Sequence, residues 1–426
     1  MAQAPDYARP SYRNYVLGVL TLVYIFNFLD RQLLVILQEP IKQELGLSDT
    51  QLGLLTGLAF AMVYVIFGLP LAQLAERWVR RSVLAISLAV WSGMTALTGF
   101  VSSYPQLLAA RAAVGIGEAG GSPPAHSIIS DIFPASRRAT ALSIYSTGVN
   151  VGILFGFLLG GWINEILGWR EAFIIIGLPG LVLALVVRFS VAEPRKGFSE
   201  GAQDDCATPG FLETLGVLWR KPSFRHLAMG TGLQSFVGYG VINWLPSFMI
   251  RAHGMGTGEL GTWLALTVGI AGALGTFLGG WMADRLGRKD RRGYLLVPTL
   301  SILLVVPLMF AVLLAPNAHL ALGINIAPAF LQTMYLGPAI AATHALVGFR
   351  AKAVGSAVLF FVLNLVGLGF GPLAVGAVSD LLQPAYGLQS LRWSLLIVTT
   401  IAGMWCTVHY LLAARTFDHD VEQGGA

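Results

Sequence analysis

Gly280-Trp281-Met282-Ala283-Asp284-Arg285-Leu286-Gly287-Arg288-Lys289 ends one long apolar run, and Ala72-Gln73-Leu74-Ala75-Glu76-Arg77-Trp78-Val79-Arg80-Arg81 ends another. The two lie about 208 residues apart, half the chain, and in both an acid stands between the end of the run and a group of arginines. A pattern repeated at that separation makes the chain an internal duplication. Whatever the first half builds, the second half builds again.

Outward from these turns the sequence is mostly apolar. Of 426 residues 55% are hydrophobic and 12% charged, against about 25% charged in a soluble domain. No Asp, Glu, Lys or Arg interrupts residues 82–110, 139–164, 226–250, 260–283 or 353–379. Each can cross about 30 Å of hydrocarbon, which takes about 20 helical residues. Expected spans are 14–38, 50–75, 82–102, 105–133, 138–165, 171–191, 224–252, 258–283, 293–315, 318–346, 352–381 and 391–414. Helices are required because lipid leaves an open strand edge unsatisfied, and the alternating pattern of a membrane barrel is absent. The expectation is an all-α membrane protein with 12 transmembrane helices in two six-helix bundles. Residues 1–191 form the first bundle, 192–223 a linker and 224–426 the second. A short amphipathic stretch, 211–219, lies inside the linker.

Orientation follows from Lys and Arg. With the N-terminus inside, one side receives Arg9, Arg13, Arg77, Arg80, Arg81, Arg137, Arg138, the basic residues of 188–225, the cluster 285–292, Arg350, Lys352 and Arg415. The other receives only Lys42, Arg170, Arg251 and Arg392. The asymmetry puts both termini in the cytoplasm. The polar start runs directly into a full-length first helix, so no cleavable signal is expected and the chain reads as an inner-membrane protein. The net charge of +5 belongs to this topology and signals no nucleic-acid partner. Cys206, in the linker, and Cys406, in the last helix, are not expected to pair. No nucleotide loop, metal-ligand set or catalytic triad is present, so neither an enzyme nor a metal site is expected.

A charged side chain at the centre of a bilayer costs at least about 2.5 kcal/mol. Asp30, Arg31, Arg111 and Glu118 alone among the Asp, Glu, Lys and Arg residues lie well inside the expected spans, and all belong to the first half. At about 1.5 Å per residue, Asp30 lies roughly 12 Å from the outer end of its helix, and Arg111 and Glu118 roughly 9 and 20 Å from theirs. The depths overlap. Asp30 and Arg31 point about 100° apart and are poor partners for each other, while Arg111 and Glu118, seven apart, share a face. If these four exchange partners with an anionic substrate, each carboxyl's affinity for a proton changes, since burial disfavours its charge and a nearby guanidinium favours it. Asp30 and Glu118 are therefore candidates for proton coupling, and Arg31 and Arg111 for a headgroup-binding charge switch. A fixed structural ion-pair cluster is the alternative.

Glu76, Arg77, Arg81, Asp131, Asp284, Arg285 and Arg288 are candidates for a cytoplasmic latch, because acids beside guanidiniums at helix ends can pair and release as two halves rock. Asn27, Tyr239, Asn243, Tyr335, Phe360 and Asn364 are candidates to line a cavity. Polar groups among many aromatics in the second half suggest an apolar wall facing a charged pole, which suits an amphipathic anion. Gly148, Gly152, Gly156 and Gly160 recur every fourth position and bring helix backbones close.

The second turn resembles the loop motif G-x-x-x-D-R-x-G-R-[RK] of the major facilitator superfamily at every position; the first has Ala72, Glu76 and Val79 in place of Gly, Asp and Gly. Asn27-Phe28-Leu29-Asp30-Arg31-Gln32, the stretch 46–53 (GLSDTQLG), Arg111-Ala-Ala-Val-Gly115-Ile-Gly117-Glu118-Ala-Gly120 and Gly168-Trp-Arg-Glu-Ala-Phe173 together resemble the Spinster family of lipid transporters over the first 190 or so residues. That resemblance implies transport of lysophospholipids or sphingoid phosphates, with proton coupling in some members. The expected machine works by alternating access, with protons as the coupling ion, no other cofactor, membrane lipids around it and a monomer as the working unit. It puts Asp30, Arg31, Arg111 and Glu118 at the coupling and headgroup site. The Asp-Arg pair also resembles that of organic-anion symporters, so a carrier of water-soluble organic anions or drugs is an alternative. A non-transporting sensor or scaffold is the alternative of another class. Residues 152–161 resemble the superfamily's antiporter motif, with Phe157 where that motif has proline.

Overall fold

The structure, a computed structural model, describes Tyr7, residues 9–195, Phe198, residues 211–347 and residues 351–422. Cys206, Arg350 and most of the expected linker lie outside the described residues. Every regular element among the described residues is helical. Among the described residues nine stretches are long and apolar enough to cross a membrane, the last, Val354–Glu422, with 69 residues and room for two crossings. The order of elements is consistent with twelve membrane helices. The amphipathic part of the linker is the helix Phe211–Arg220.

Several expected spans are interrupted, each for a local reason. Residues 105–133 form two helices, Tyr104–Ala119 and Ser122–Ile132. Pro123 and Pro124 have no N–H for the carbonyls of residues 119 and 120, and Gly120-Gly121 is a weak helix former, so the chain breaks there. Residues 318–346 form Ala318–Gln332 and Leu336–Leu346, because Pro338 cannot bond to the carbonyl of Met334. The span 50–75 starts as Asp49–Thr56, breaks at Gly57 and resumes as Leu58–Arg77. Its start is closed by a capping box: Ser48 Oγ accepts from the Gln51 N–H at 3.1 Å and Gln51 Oε1 from the Ser48 N–H at 2.9 Å. Wide π-turns at Ala265–Ile270 and Leu363–Phe370 interrupt the spans 258–283 and 352–381.

Contacts divide the chain into two units. The first comprises residues 1–47, 59–205 and 257–265, and the second 48–58, 206–256 and 266–426. Two short segments, 48–58 and 257–265, thus group with the unit opposite to their place in sequence. In the first unit, Pro10–Ile36 lies against Ala135–Ile166 along the glycine stripe. A Cβ at Gly156 would come within 2.7 Å of the Gln32 Cβ and 2.8 Å of the Leu29 carbonyl oxygen, and one at Gly152 within 2.7 Å of the Phe28 Cβ. Only glycine permits that approach, and it fixes the rotation of the first helix and hence the direction of Asp30 and Arg31.

Candidate functional site

The four intramembrane charges gather within the first unit. Arg31 Nε donates to Glu118 Oε2 at 2.6 Å, with side-chain exposures of 14% and 0%. Asp30 feels the charges of Arg111, Glu118 and Arg31, and Arg111 those of Glu118, Asp30 and Arg31. Asp30 and Arg111 also line one small cavity of about 10 Å3 with Thr95 and Thr98, about the space of one water. Asp30 Oδ2, Glu118 Oε1 and Arg111 Nε are buried with no hydrogen-bond partner among the described residues. The acid–base pairs run across the two helices, Arg31 to Glu118 and Asp30 beside Arg111.

Beneath both guanidiniums lies one ring. Phe60, fully buried, has Arg31 Cζ 4.9 Å and Arg111 Cζ 4.4 Å from its centroid. Phe28 and Tyr64 stand 5.0 and 5.3 Å from Arg31. The face of an aromatic ring attracts a cation without supplying a charge that must be desolvated. Close packing holds the frame: a Cβ at Gly115 would meet Phe60 Cδ2 at 3.3 Å, and one at Gly117 would meet the Trp91 backbone nitrogen at 2.7 Å. Phe60 escapes a reading of the sequence because an apolar residue inside an apolar run carries no signal. Only the positions of the arginines reveal it.

The second unit holds a different buried charge pair. Arg251 donates from both Nη atoms to the two oxygens of Asp49, each at 2.7 Å, and Ser379 Oγ donates to Asp49 Oδ2 at 2.6 Å. Asp380 accepts from the N–H groups of Asp49 and Thr50 at 3.0 and 2.7 Å, and from the Thr50 hydroxyl at 2.6 Å. The start of Asp49–Thr56 is thus held by acids at its positive end. Of the candidate cavity residues in this unit, Tyr239 and Tyr335 line one cavity of about 200 Å3. Asn243 instead donates to the Tyr239 carbonyl of its own helix at 2.8 Å, Phe360 is exposed, and Asn364 lies in the second π-turn. Asn27, in the first unit, is buried.

The profile of one family fits this arrangement: residues 20–372 match the model of the Major Facilitator Superfamily. The chain belongs to that superfamily. It is therefore a multi-pass membrane transporter with the superfamily's all-α fold, and its relatives are transporters rather than enzymes. It is 35% identical over 405 residues to the MFS-type efflux pump of Mycolicibacterium smegmatis, covering 95% of this chain and 93% of that protein. It is 26% identical over 436 residues to protein spinster homolog 3 of Danio rerio, covering 96% and 86%. The structure of a bacterial homologue of the human lysosomal transporter Spinster, inward-facing and unoccupied, matches with a TM-score of 0.89 at 30% identity, over 97% of this chain and 99% of that one. Within the superfamily the chain is Spinster-like.

The superfamily's paired turns are alike in sequence and unlike in surroundings. In the first copy, Arg80 is buried and donates from Nε to Glu193 at 2.7 Å, from Nη1 to Ser127 at 2.8 Å and to Asp131, and from Nη2 to the Pro194 carbonyl at 2.8 Å. Arg81 adds its N–H to Glu193 at 2.9 Å and its Nη1 to the Val191 carbonyl at 3.0 Å. Glu76 and Arg77 are exposed. In the second copy Asp284, Arg285 and Arg288 are all exposed, with Arg285 over the Trp281 ring at 5.5 Å. Arg80, at the motif position that Arg288 holds in the second copy, and Glu193 thus form the centre of the first turn, although neither is among the latch candidates read from the sequence. An acid just beyond the end of an apolar run, followed by proline, is the signal that points to Glu193.

Proposed function

We propose that this chain is a proton-coupled secondary transporter that works by alternating access and moves lysolipids, sphingolipids or similar amphipathic anions across the inner membrane, with both termini in the cytoplasm. The observation that carries the proposal is the Arg31–Glu118 pair at 2.6 Å, beside Asp30 and Arg111, on a floor of aromatic rings. An anionic headgroup presents negatively charged oxygens, as Glu118 does, so it competes for Arg31. A carboxylate that loses its guanidinium in a dry site binds a proton far more readily. Headgroup entry and protonation are then one event, with protons as the coupling ion and no other cofactor. Phe28, Phe60 and Tyr64 hold the guanidinium in place while its partner changes.

In this scheme residues 1–191 handle proton and headgroup, residues 192–223 link the halves, and residues 224–426 supply the apolar wall. A single chain suffices, since the four charges come from one unit. The acyl tail gains about 0.8 kcal/mol per methylene from lipid already, so the headgroup is the part that needs a carrier. The Spinster relatives support this reading. The 35% identity to an efflux pump over nearly the whole chain favours, as a second reading, export of drug-like amphiphiles through the same charged site.

The test is transport by purified protein in liposomes under an imposed pH gradient, with lysophospholipid, a short dicarboxylate and a lipophilic cation as substrates. Gradient-dependent uptake of lysophospholipid that the dicarboxylate does not compete is expected, and Asp30→Asn should abolish its pH dependence. Unchanged proton dependence in Asp30→Asn would remove that residue from the mechanism. Transport of the lipophilic cation alone would favour the second reading.

A further inference from the structure

The second unit contains a cavity of about 200 Å3 that shares no residue with the charged cluster. Its wall is mainly aliphatic, including Leu245, Val268, Val305 and Met309, and none of its lining residues is Asp, Glu, Lys, Arg or His. The hydroxyls of Ser235, Tyr239, Thr333 and Tyr335 and two side-chain amides break that apolar surface, and Ser235 Oγ has no hydrogen-bond partner among the described residues. Asn325 is 2% exposed, and its Nδ2 has no hydrogen-bond partner among the described residues. Gln332 donates from Nε2 to the Gln234 carbonyl at 2.5 Å, and its Oε1 has none. The two lie seven residues apart on Ala318–Gln332, two turns along one face. The cavity therefore offers an amide donor and an amide acceptor without partners in an uncharged, mainly apolar lining.

Burying an unpartnered amide is costly, and an aliphatic chain filling this space would leave both unpartnered. A charged group would lose its hydration with no counter-ion to replace it. An uncharged group with a donor and an acceptor satisfies both amides and fills the rest by apolar contact. A dry cavity of about 150 Å3 already admits benzene, so this one takes a group somewhat larger. We propose that this cavity is a binding site for an uncharged lipophile carrying one hydroxyl or amide group, such as a medium-chain alcohol. It goes beyond the proposed transport of anions, because it assigns the second half a ligand chemistry of its own.

The test is photolabelling of the full chain in lipid nanodiscs with 3-azioctanol, a diazirine alcohol, with the modified residues mapped by mass spectrometry. Labelling around Val305, Met309 and Asn325 is expected, suppressed by excess 1-octanol and untouched by octanesulfonate. Asn325→Leu should lower it about tenfold, the effect of one lost hydrogen bond. Val305→Phe, which narrows the cavity and keeps both amides, should lower it as well, and it decides the question if Asn325→Leu elutes as aggregate. Labelling that octanol does not suppress, that octanesulfonate suppresses equally, or that persists in the correctly folded variants would overturn the proposal.

Discussion

Glu118→Gln and Arg31→Met both break the 2.6 Å pair, yet they leave different things behind. Removing one partner of a buried ion pair costs about 3–5 kcal/mol, because the survivor is an uncompensated charge. In Glu118→Gln the survivor is Arg31, which keeps Phe28, Phe60 and Tyr64 at 5.0, 4.9 and 5.3 Å. At about 0.5–1 kcal/mol each, those rings return about 1.5–3 kcal/mol, and the glutamine carbonyl can still accept from Nε. The net loss is then about 0–3.5 kcal/mol, centred near 2. In Arg31→Met the survivor is the fully buried Glu118 carboxylate, for which a ring face offers nothing and which must share the one remaining cation, Arg111, with Asp30. The cost stays near the full 3–5 kcal/mol. The difference of about 2 kcal/mol corresponds to about thirtyfold in the folded fraction. Thermal unfolding in one detergent, followed by fluorescence-detected gel filtration, would rank the two variants, and the double variant would close the cycle and give the coupling energy. Equal losses, a larger loss for Glu118→Gln, or a coupling energy near zero would refute the aromatic floor as the reason the cation is held.

The frame and the other charge pairs give further expectations. Gly117→Ala puts a methyl 2.7 Å from the Trp91 nitrogen and 2.9 Å from the Ser87 carbonyl oxygen, both backbone; the helix must shift by several tenths of an ångström, at about 1–3 kcal/mol, and transport activity should fall although no charge has changed. Asp49→Asn leaves Arg251 charged and buried and should lower thermal stability by about 3–5 kcal/mol, while Asp49→Asn with Arg251→Met should cost less than the sum of the single changes in the same unfolding assay. Glu44 accepts from Arg170 at 2.6 Å and from the Trp169 indole at 2.6 Å, and these bonds hold its carboxyl below the ordinary value. Its contribution to stability is full above the unfolded value of about 4.3 and is lost as pH falls through the lowered folded value. Glu44→Gln should therefore flatten the acid limb of a stability–pH profile and leave neutral pH nearly unchanged, a small effect because the pair is exposed.

The fold was legible because membrane helices announce themselves by what they lack: the charge-free runs marked the spans, and two similar turns marked the duplication. The four charges were legible for the same reason, since an arginine inside an apolar run must be held by something. The sequence did not show what holds it. Phe60 is one apolar residue among many, and its role depends on two arginines from two other helices reaching the same ring. The helix breaks were legible only in part. Pro123-Pro124 and Pro338 stood in plain view, but a proline within a membrane helix can as easily be tolerated as break it. Asp49 stands just before the expected span 50–75 and Arg251 at the end of the span 224–252, and nothing in sequence signals that the two pair and become buried.

The break after Glu118 bears on why this helix carries the acid. Tyr104–Ala119 ends one residue beyond Glu118, and the N–H groups of Gly120 and Gly121 return to the carbonyls of Gly117 and Glu118 at 3.1 and 3.0 Å. The negative end of the helix thus falls at the site, within the membrane and away from the aqueous boundary where a helix of full length would end. A cation there is favoured twice, by the carboxylate and by the helix end, and it keeps the second attraction when a headgroup displaces the first. The Gly-Gly-Ser-Pro-Pro stretch after Ala119 is then part of the charge site as much as a flaw in the helix: it lets Gly120 and Gly121 lie against Ser87 and Trp91, and it brings the end of a helix dipole to the guanidinium that the proposed exchange of partners leaves briefly without its acid.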